Sequence, residues 1–305
     1  MDGLIVIDKP PGLTSHDVVF WVRKLIKDEK TGHCGTLDPD ATGVLLVTVG
    51  KATRLFPFLS GHEKTYQGTI RFGFSTDTYD ASGRPTSPEN PVCPEENKIR
   101  GAMRKLEGKI FQTPPSFSAK KLGGQPSYKL ARAEKSVILM AQEVTVRRFE
   151  LDGFRPPLTD FTTECSSGTY VRALAHDLGR LLGCGAHLAG LRRTVSGDFG
   201  LADAHSLDEV RSRAEAGNLK RLVVPIEDLL PRLQAIMLET DGEERARHGN
   251  RILPNHVLAL PDGWPHASPG QDSVFRLIAR DGRLLALARP SQDREGLSPF
   301  LVLSD

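Results

Sequence analysis

The most distinctive segment of this chain is Gly32-His33-Cys34-Gly35-Thr36-Leu37-Asp38-Pro39-Asp40-Ala41-Thr42-Gly43. It holds three glycines, one histidine and two carboxylates in twelve residues. The apolar run Val44-Leu45-Leu46-Val47-Thr48-Val49 follows at once and predicts a buried strand. Loops with unusual backbone geometry that lie against a rigid strand often carry catalytic or binding groups. We therefore expect a functional site here.

Length and composition set the broad class of the protein. The 305 residues are 39% hydrophobic and 26% charged, which is ordinary for a globular protein and sufficient for a large domain plus a smaller one. No apolar run reaches the roughly 18 residues of a membrane span, and the N-terminus lacks the features of a signal peptide. We expect a cytoplasmic protein without membrane association.

The four cysteines, at positions 34, 93, 165 and 184, form no CxxC pair and have no histidine at zinc-ligand spacing. This pattern disfavours both a metal site and a disulfide framework. We expect free thiols in a reducing compartment and no bound metal.

Positive charge is concentrated between residues 98 and 135, although the net charge of the whole chain is only +2. Ten lysines and arginines stand there against two glutamates. A solvated helix face and a phosphate-contacting surface explain this charge equally well. Within it, residues 116–128 combine lysines, glycines and two aromatic residues, the composition of an arm that closes on a polyanion.

Local signals predict alternating strands and helices. Residues 4–8 form a strand, a Pro-Pro-Gly turn follows, and Thr14-Ser15 caps a helix that runs to about residue 27. Thr169 is expected to cap another helix, which Gly183 ends. Further strands are predicted over 66–72, 143–151 and 161–165, helices over 99–107, 207–222 and 226–230, and a long loop over 76–94.

The local sequence pattern changes after Pro231. Short strand candidates at 252–253, 257–260, 274–278 and 284–288 alternate with turns, and Asp281-Gly282 is a strong hairpin signal. We interpret residues 232–305 as a small, barrel-like all-β domain.

Single residues of these segments remain ambiguous when they are taken one by one. Asp38 precedes a proline, which is more often a turn than a catalytic site, and His33 is more often a packed loop residue. Tyr66 alone is typical of a core or edge position in a strand. Arg172 lies in the first turn of a helix, where the dipole disfavours a cation, so either it meets a carboxylate or phosphate or it is a plain surface arginine.

Five motifs occur in order: Lys9-Pro10-Pro11-Gly12-Leu13-Thr14-Ser15, Gly32-His33-Cys34-Gly35-Thr36-Leu37-Asp38-Pro39, Lys64-Thr65-Tyr66, Gly168-Thr169-Tyr170-Val171-Arg172 and Leu191-Arg192-Arg193. In this combination the chain resembles the TruB family of pseudouridine synthases over essentially its whole length. The resemblance implies an α+β fold, with a central mixed, mainly antiparallel sheet flanked by helices and a small C-terminal PUA-like β-barrel. The catalytic domain would span 1–231, with an RNA-gripping insertion at about 113–135, and the PUA-like RNA-binding domain would span 232–305.

The resemblance also implies an activity, the isomerisation of uridine 55 in the T-loop of tRNA to pseudouridine. The target base is flipped out of the RNA, its glycosidic bond is broken, and the base is rejoined to the sugar through C5. Nothing is added or removed overall, so no cofactor is expected. The partner would be the T-arm of tRNA, with no obligatory protein partner and a monomeric enzyme.

By the same resemblance Asp38 is the catalytic carboxylate, Arg172 pairs with it, and Tyr66 stacks on the target base and assists proton removal from C5. His33 would occupy the space that the flipped base leaves, and Leu191 would line an apolar pocket. The remaining expected substrate-binding residues are Lys9, which with Pro10 also supports the loop, Lys64, Tyr170, Lys120 and Lys121. Cys34, Thr36 and Asp40 depart from the usual pattern, and we expect Asp40 to face solvent.

Two other functions remain open from the sequence. One is the catalytic subunit of a guide-RNA-dependent pseudouridylase complex, which the compact C-terminal segment and the absence of a lysine-rich tail disfavour. The other is an RNA-folding factor for tRNA, which the presence of Asp38, Tyr66 and Arg172 disfavours as the sole activity.

Overall fold

The structure of the protein is a computed structural model. It describes residues 1–27, 29–90, 93–117, 139–260, 264–265 and 274–303, and the backbone of 121–122 and 125–126.

Sixteen strands and six helices make up the described part of the chain. The strands are β1 (Gly3–Lys9), β2 (Thr31–His33), β3 (Thr42–Val49), β4 (Lys64–Phe72), β5 (Gly108–Gln112), β6 (Lys121–Leu122), β7 (Gln125–Pro126), β8 (Gln142–Arg155), β9 (Leu158–Cys165), β10 (Ala186–Ser196), β11 (Phe199–Gly200), β12 (Val223–Pro225), β13 (Gln234–Met237), β14 (Phe275–Ile278), β15 (Leu284–Pro290) and β16 (Leu297–Val302). The helices are α1 (Ser15–Leu25), α2 (Phe56–Ser60), α3 (Glu96–Arg104), α4 (Val171–Leu182), α5 (Leu207–Glu215) and α6 (Thr240–Arg247). No described helix is long and apolar enough to cross a bilayer.

The main sheet has the strand order β12-β1-β3-β10-β4-β9-β8-β5, with β2 added to β3 and β11 to β10. All of these pairs are antiparallel except β3 with β10, which run parallel where Thr42 and Gly43 meet Arg192 and Arg193. The predicted α+β class with a mixed, mainly antiparallel sheet is therefore confirmed. The one parallel contact brings the end of the glycine-rich segment to β10.

The central strands are apolar on both faces because both faces of the sheet are covered. Ile5 and Ile7 of β1 point into the larger of two cores, here called the main core, which α1, α3, α4 and α5 cover. Leu4 and Val6 point into a second core on the opposite face, which also contains residues of the C-terminal sheet such as Leu287. Burial on both sides explains why these strands read as continuous apolar runs.

The predicted helix ends are confirmed at two places and wrong at one. Thr14 and Asp17 form a reciprocal capping box at the start of α1, and Gly183 ends α4 with a φ of +71°. The predicted cap by Thr169 is wrong, because Tyr170 is the N-cap residue of α4 and no side chain of its own caps it.

Other predicted helices shift for local reasons. The helix predicted over 207–222 ends at Glu215, since Gly217 adopts a φ of +70°, and a single 3₁₀ turn follows at Leu219–Leu222. The segment predicted over 226–230 is likewise a short 3₁₀ turn, Ile226–Asp228. Helix α3 lies about three residues N-terminal of its prediction.

The C-terminal residues form a separate four-stranded sheet in the order β13-β14-β15-β16. The hairpin predicted at Asp281-Gly282 is confirmed between β14 and β15. The strand candidates at 252–253 and 257–260 contribute only single bridges, Ile252 with Leu297 and Val257 with Leu238. A small C-terminal sheet is thus present, but the helix α6 lies in the same segment, so the prediction that residues 232–305 are all-β is wrong. The division from the rest at residue 231 stays a prediction.

Candidate active site

Hydrogen bonds on both sides of Asp38 hold its backbone in place. The Ser15 hydroxyl accepts a hydrogen bond from Leu37 N at 2.8 Å and donates one to Leu37 O at 3.1 Å, while the Leu37 side chain is buried in the main core. On the other side, Ala41 N donates to Asp38 O at 3.1 Å and closes a turn. The loop therefore presents the Asp38 side chain from a fixed backbone, as a reacting group requires.

Lys9 joins the N-terminal loop to the Asp38 loop. Its side chain is fully buried, and its ammonium donates to Pro39 O at 2.8 Å, Leu13 O at 2.7 Å and Pro10 O at 2.9 Å. Burial lowers the pKa of Lys9 to about 8, against an opposing effect of Asp40 and Asp38. All three donors of the ammonium are used by main-chain carbonyls, so Lys9 lies beneath the loop.

Arg193 holds the preceding part of the loop. It is 1% exposed, and its guanidinium donates to Val44 O at 2.6 Å and Gly35 O at 3.1 Å. It also lies near the Tyr66 hydroxyl and acts to lower its pKa, against the larger effect of burial. Gly43 has a φ of +96° and lies so close to Arg193 that a Cβ would come within 2.1 Å of the Arg193 carbonyl oxygen. Only glycine allows this approach of the loop to β10.

Arg172 meets two carboxylates. Its Nε lies 2.8 Å from Asp38 Oδ2, and Nη2 donates to Asp38 Oδ1 at 3.2 Å. Nη1 lies 3.3 Å from Asp80 Oδ2 and donates to Thr78 O at 2.9 Å, and Nη2 also donates to Phe117 O at 3.1 Å. The arginine side chain is 6% exposed. Of the two alternatives left open for Arg172, the structure shows the one in which the arginine meets a carboxylate, and it is not a surface arginine.

Asp38 is the accessible member of this cluster. Its side chain is 41% exposed, against 22% for Asp80. Burial in the site raises the pKa of the Asp38 carboxyl, Arg172 lowers it, and Asp80 raises it. A carboxylate that is open to an incoming molecule and oriented by a buried arginine is suited to attack or to stabilise an electron-poor carbon.

Tyr66 lies near this carboxylate at the start of β4. It is 6% exposed, and burial raises the pKa of its hydroxyl, with Arg193 lowering it and Asp38 raising it. The side chain is therefore a neutral phenol around neutral pH, one that presents a ring and a polar tip.

The other predicted site residues occupy different positions around the loop. Half-buried His33 ends β2, and burial, with Arg193 and His16, lowers the pKa of its imidazole. Leu191 is half-buried and packs against the main core. Tyr170 is the N-cap residue of α4.

Lys64 is buried and bonded to the main chain. It is 5% exposed, its ammonium donates to Ser60 O at 2.8 Å and to His62 O, and burial lowers its pKa to about 8. Main-chain carbonyls thus accept hydrogen bonds from the ammonium groups of both Lys64 and Lys9, and direct contact of these lysines with substrate stays a prediction.

Most of the predicted insertion lies outside the described residues. Lys120 belongs to that part, and for Lys121 only the backbone is described, as the first residue of β6 in a two-stranded pair with β7. Asp40 is exposed, as predicted. Among the described residues, no group of three or more His, Cys, Asp or Glu side chains is arranged to hold a metal ion.

Three residues of the site were given no role of their own from the sequence. Asp80 lies in the polar loop after β4, where no periodicity marks it. Arg193 was part of a motif but had no expected role of its own. Gln112 is 2% exposed, and its side-chain amide accepts from Tyr170 N at 2.7 Å and donates to Tyr170 O at 3.1 Å.

Comparison with known proteins places the chain in a family. The model of the TruB family pseudouridylate synthase N-terminal domain matches residues 23–171, and that of the tRNA pseudouridylate synthase B C-terminal domain matches residues 172–231. A protein from Geobacter sulfurreducens named tRNA pseudouridine synthase B is 48% identical over 289 residues, 94% of this chain and 93% of that protein. A protein of the same name from Solibacter usitatus is 42% identical over 287 residues, which cover 94% of this chain and 95% of that protein.

Solved structures agree with this at the level of the fold. A chain of an H/ACA ribonucleoprotein bound to a substrate RNA containing 2'-deoxyuridine superposes with a TM-score of 0.75 at 25% identity, covering 99% of this chain and 85% of that one. A chain of a Cbf5–Nop10–Gar1 complex gives the same score and coverage at 26% identity. The chain belongs to the TruB family of pseudouridylate synthases.

Proposed function

We propose that this protein is a tRNA pseudouridine synthase that isomerises uridine 55 in the T-loop of tRNA. The names of its relatives and the family models support this activity. The observation that carries it is the contact of 2.8 Å between Arg172 Nε and Asp38 Oδ2, in which a buried arginine orients an accessible carboxylate.

The reaction moves atoms within one nucleotide. The N1–C1′ bond breaks, the uracil turns, and a C5–C1′ bond forms, after which C5 loses a proton and N1 carries one. Asp38 is the group that attacks, traps an electron-poor sugar carbon or removes a proton. Arg172 keeps it oriented and favours its ionised form. Because Tyr66 is a neutral phenol, its proposed role is to hold the flipped base by stacking, while His33 and Leu191 line the space around it.

The test is release of tritium from a T-arm hairpin labelled at uridine C5. We expect Asp38→Asn to lose activity by at least about 10³-fold, as removal of a reacting group does, with binding of the hairpin retained. Asp40→Asn is the matched control, because it removes an exposed carboxylate two residues away. A fully active Asp38→Asn would overturn the catalytic assignment.

The enzyme is proposed to act on tRNA as a cytoplasmic monomer without a protein partner. A guide-RNA-dependent subunit is the second candidate, because one of the two solved structures is an H/ACA ribonucleoprotein with a substrate RNA and the other is a complex of several proteins. Full activity of the purified chain on the hairpin without guide RNA would rule out that dependence. Activity that appears only after guide RNA is added would support it.

A further inference from the structure

Tyr79 adopts a strained backbone conformation beside the active site. Its φ is +66°, in the left-handed region that non-glycine residues avoid because Cβ crowds the backbone. Such a conformation persists only where the surrounding structure holds it, and it is found preferentially at functional sites. The loop between β4 and α3 carries this residue, directly between Thr78 and Asp80.

Both chain neighbours of Tyr79 contact the active-site arginine. The Thr78 carbonyl accepts a hydrogen bond from Arg172 Nη1 at 2.9 Å, and Asp80 Oδ2 lies 3.3 Å from the same nitrogen. A carbonyl and a carboxylate two residues apart reach one nitrogen only if the backbone between them turns sharply. The strained residue supplies that turn.

The Tyr79 ring stacks on His176. The ring centroids are 3.9 Å apart and the planes lie within 17° of parallel. His176 lies on α4 one helical turn after Arg172, so both side chains lie on the same side of the helix. The histidine Nδ1 is buried and has no hydrogen-bond partner among the described residues, and burial lowers the pKa of the imidazole. His176 therefore acts as a flat neutral surface.

The opposite side of the loop is attached to β10. Leu188 N donates to Tyr79 O at 3.0 Å, and Ala81 N donates to Leu188 O at 2.9 Å. The loop is thus held at two places, by main-chain hydrogen bonds to the sheet and by one ring on the helix that carries Arg172. Together with the contacts of Arg172 with Thr78 O and Asp80 Oδ2, the ring contact ties the loop to α4.

We propose that Tyr79 and His176 are positioning residues for the reaction, whose stacked rings hold Thr78 and Asp80 against Arg172 and thereby orient Arg172 towards Asp38. This inference rests on the proposed function, because it acts through Arg172 and Asp38. It adds two residues whose effect on the reaction passes through Arg172.

The experiment measures kcat and KM for tritium release from the T-arm hairpin, and the thermal midpoint of each variant. Tyr79→Ala and His176→Ala are each expected to lower kcat about 10- to 100-fold, the cost of a misplaced catalytic group, with KM nearly unchanged. Tyr79→Phe and His176→Phe keep the stacked rings and are expected to restore kcat. Phe74→Ala is the matched control, since it removes a ring from a similar pair with His187, at a centroid distance of 4.6 Å, in the same loop.

A double-mutant cycle separates positioning from simple stabilisation. If the rings act through Asp80, Tyr79→Ala costs much less in the Asp80→Asn background than in the wild type. If the fold losses in kcat of Tyr79→Ala and Asp80→Asn simply multiply in the double variant, the proposal is overturned. A fall in kcat that only follows a fall in thermal midpoint would also overturn it. An inactive wild-type protein would instead refute the proposed function, so the two failures are distinguishable.

Discussion

Asp38, Arg172 and Asp80 form a three-charge cluster with one net negative charge. The arginine is nearly inaccessible, whereas Asp38 is open on one side. Two carboxylates share one arginine here, and the negative charge of Asp80 raises the pKa of Asp38. Asp80 therefore has two opposite effects, since it holds Arg172 in place and makes Asp38 harder to ionise.

Replacing Asp80 tests this balance. We expect Asp80→Asn to lower kcat, because Arg172 loses one of its partners. The acid limb of the kcat/KM profile should also move to lower pH, because removing a neighbouring negative charge lets Asp38 ionise more readily. The pH dependence of tritium release measures both effects. Asp77→Asn, at an exposed position in the same loop, is the control, and an acid limb that stays in place or moves upward would contradict the expectation.

Lys9 offers a second prediction at this scale, on stability. Lys9→Met leaves three carbonyls without their donor and should lower the free energy of unfolding by roughly 1–3 kcal/mol per group that stays unpaired. Urea unfolding at neutral pH measures this loss. Lys9→Arg, which keeps a cation and its donors, is the comparison.

The pH dependence of that difference has a definite sign. The pKa of Lys9 is lowered to about 8 in the folded protein from 10.5, so between these values the unfolded chain binds more protons. Stability from this group is fully present above the unfolded pKa and is lost as the pH falls through about 8. The wild type should therefore gain stability relative to Lys9→Met as the pH rises from about 8 to 10. A constant difference over this window would contradict the assignment.

The start of α4 is the element on which the site depends most. It carries Arg172 in its first turn, yet no side chain of its N-cap residue, Tyr170, satisfies the free N–H groups. Gln112, at the end of β5, holds the N-cap residue itself from outside the helix, through two hydrogen bonds to the Tyr170 main chain. The helix start is thus positioned by β5, the edge strand that precedes the predicted insertion.

Gln112→Leu should remove the hydrogen bonds that link the end of β5 to the start of α4. We expect a loss of roughly 1–3 kcal/mol in the free energy of unfolding, because the Tyr170 N–H loses its partner while the C=O keeps only its helix donors, Ala173 N and Leu174 N. The kcat should fall as well, since the Arg172 backbone is no longer held. Gln142→Leu is the matched control, at the exposed residue that pairs with Gln112 across β5 and β8. Equal effects of the two substitutions on unfolding and on tritium release would disprove the role of Gln112.

At the scale of the whole molecule, the second apolar core is shared by the main sheet and the C-terminal sheet. Leu4, Val6 and Leu46 contribute from the main sheet, and Leu284 and Leu287 from the C-terminal one. A core shared in this way makes the two parts stabilise one another. The C-terminal unit is therefore expected to unfold together with the rest of the chain.

Leu287→Ala tests that coupling. A fully buried leucine that is truncated to alanine costs about 2–5 kcal/mol. In a Trp264→Phe background the remaining tryptophan, Trp21 of α1, reports on the main core alone. We expect the Trp21 fluorescence transition in urea to move to lower concentration, and Leu258→Ala, at a residue that is 46% exposed, to leave it in place. A Trp21 transition unaffected by Leu287→Ala would show that the C-terminal sheet folds independently.

The sequence by itself determined what depends on near neighbours along the chain. The apolar runs of β1 and β3, the capping box of Thr14 and Asp17, the left-handed stop at Gly183 and the Asp281-Gly282 hairpin were all predictable, because each rests on residues a few positions apart. Ordered motifs also predicted the family. Local patterns could not join Asp38 to Arg172, which is 134 positions away, so that pairing was expected only through the family resemblance. Tertiary structure alone added Asp80, because it lies in a loop without periodicity. It also decided that Lys9 and Lys64 serve the main chain, because whether a lysine reaches solvent or buried carbonyls depends on how distant segments pack around it.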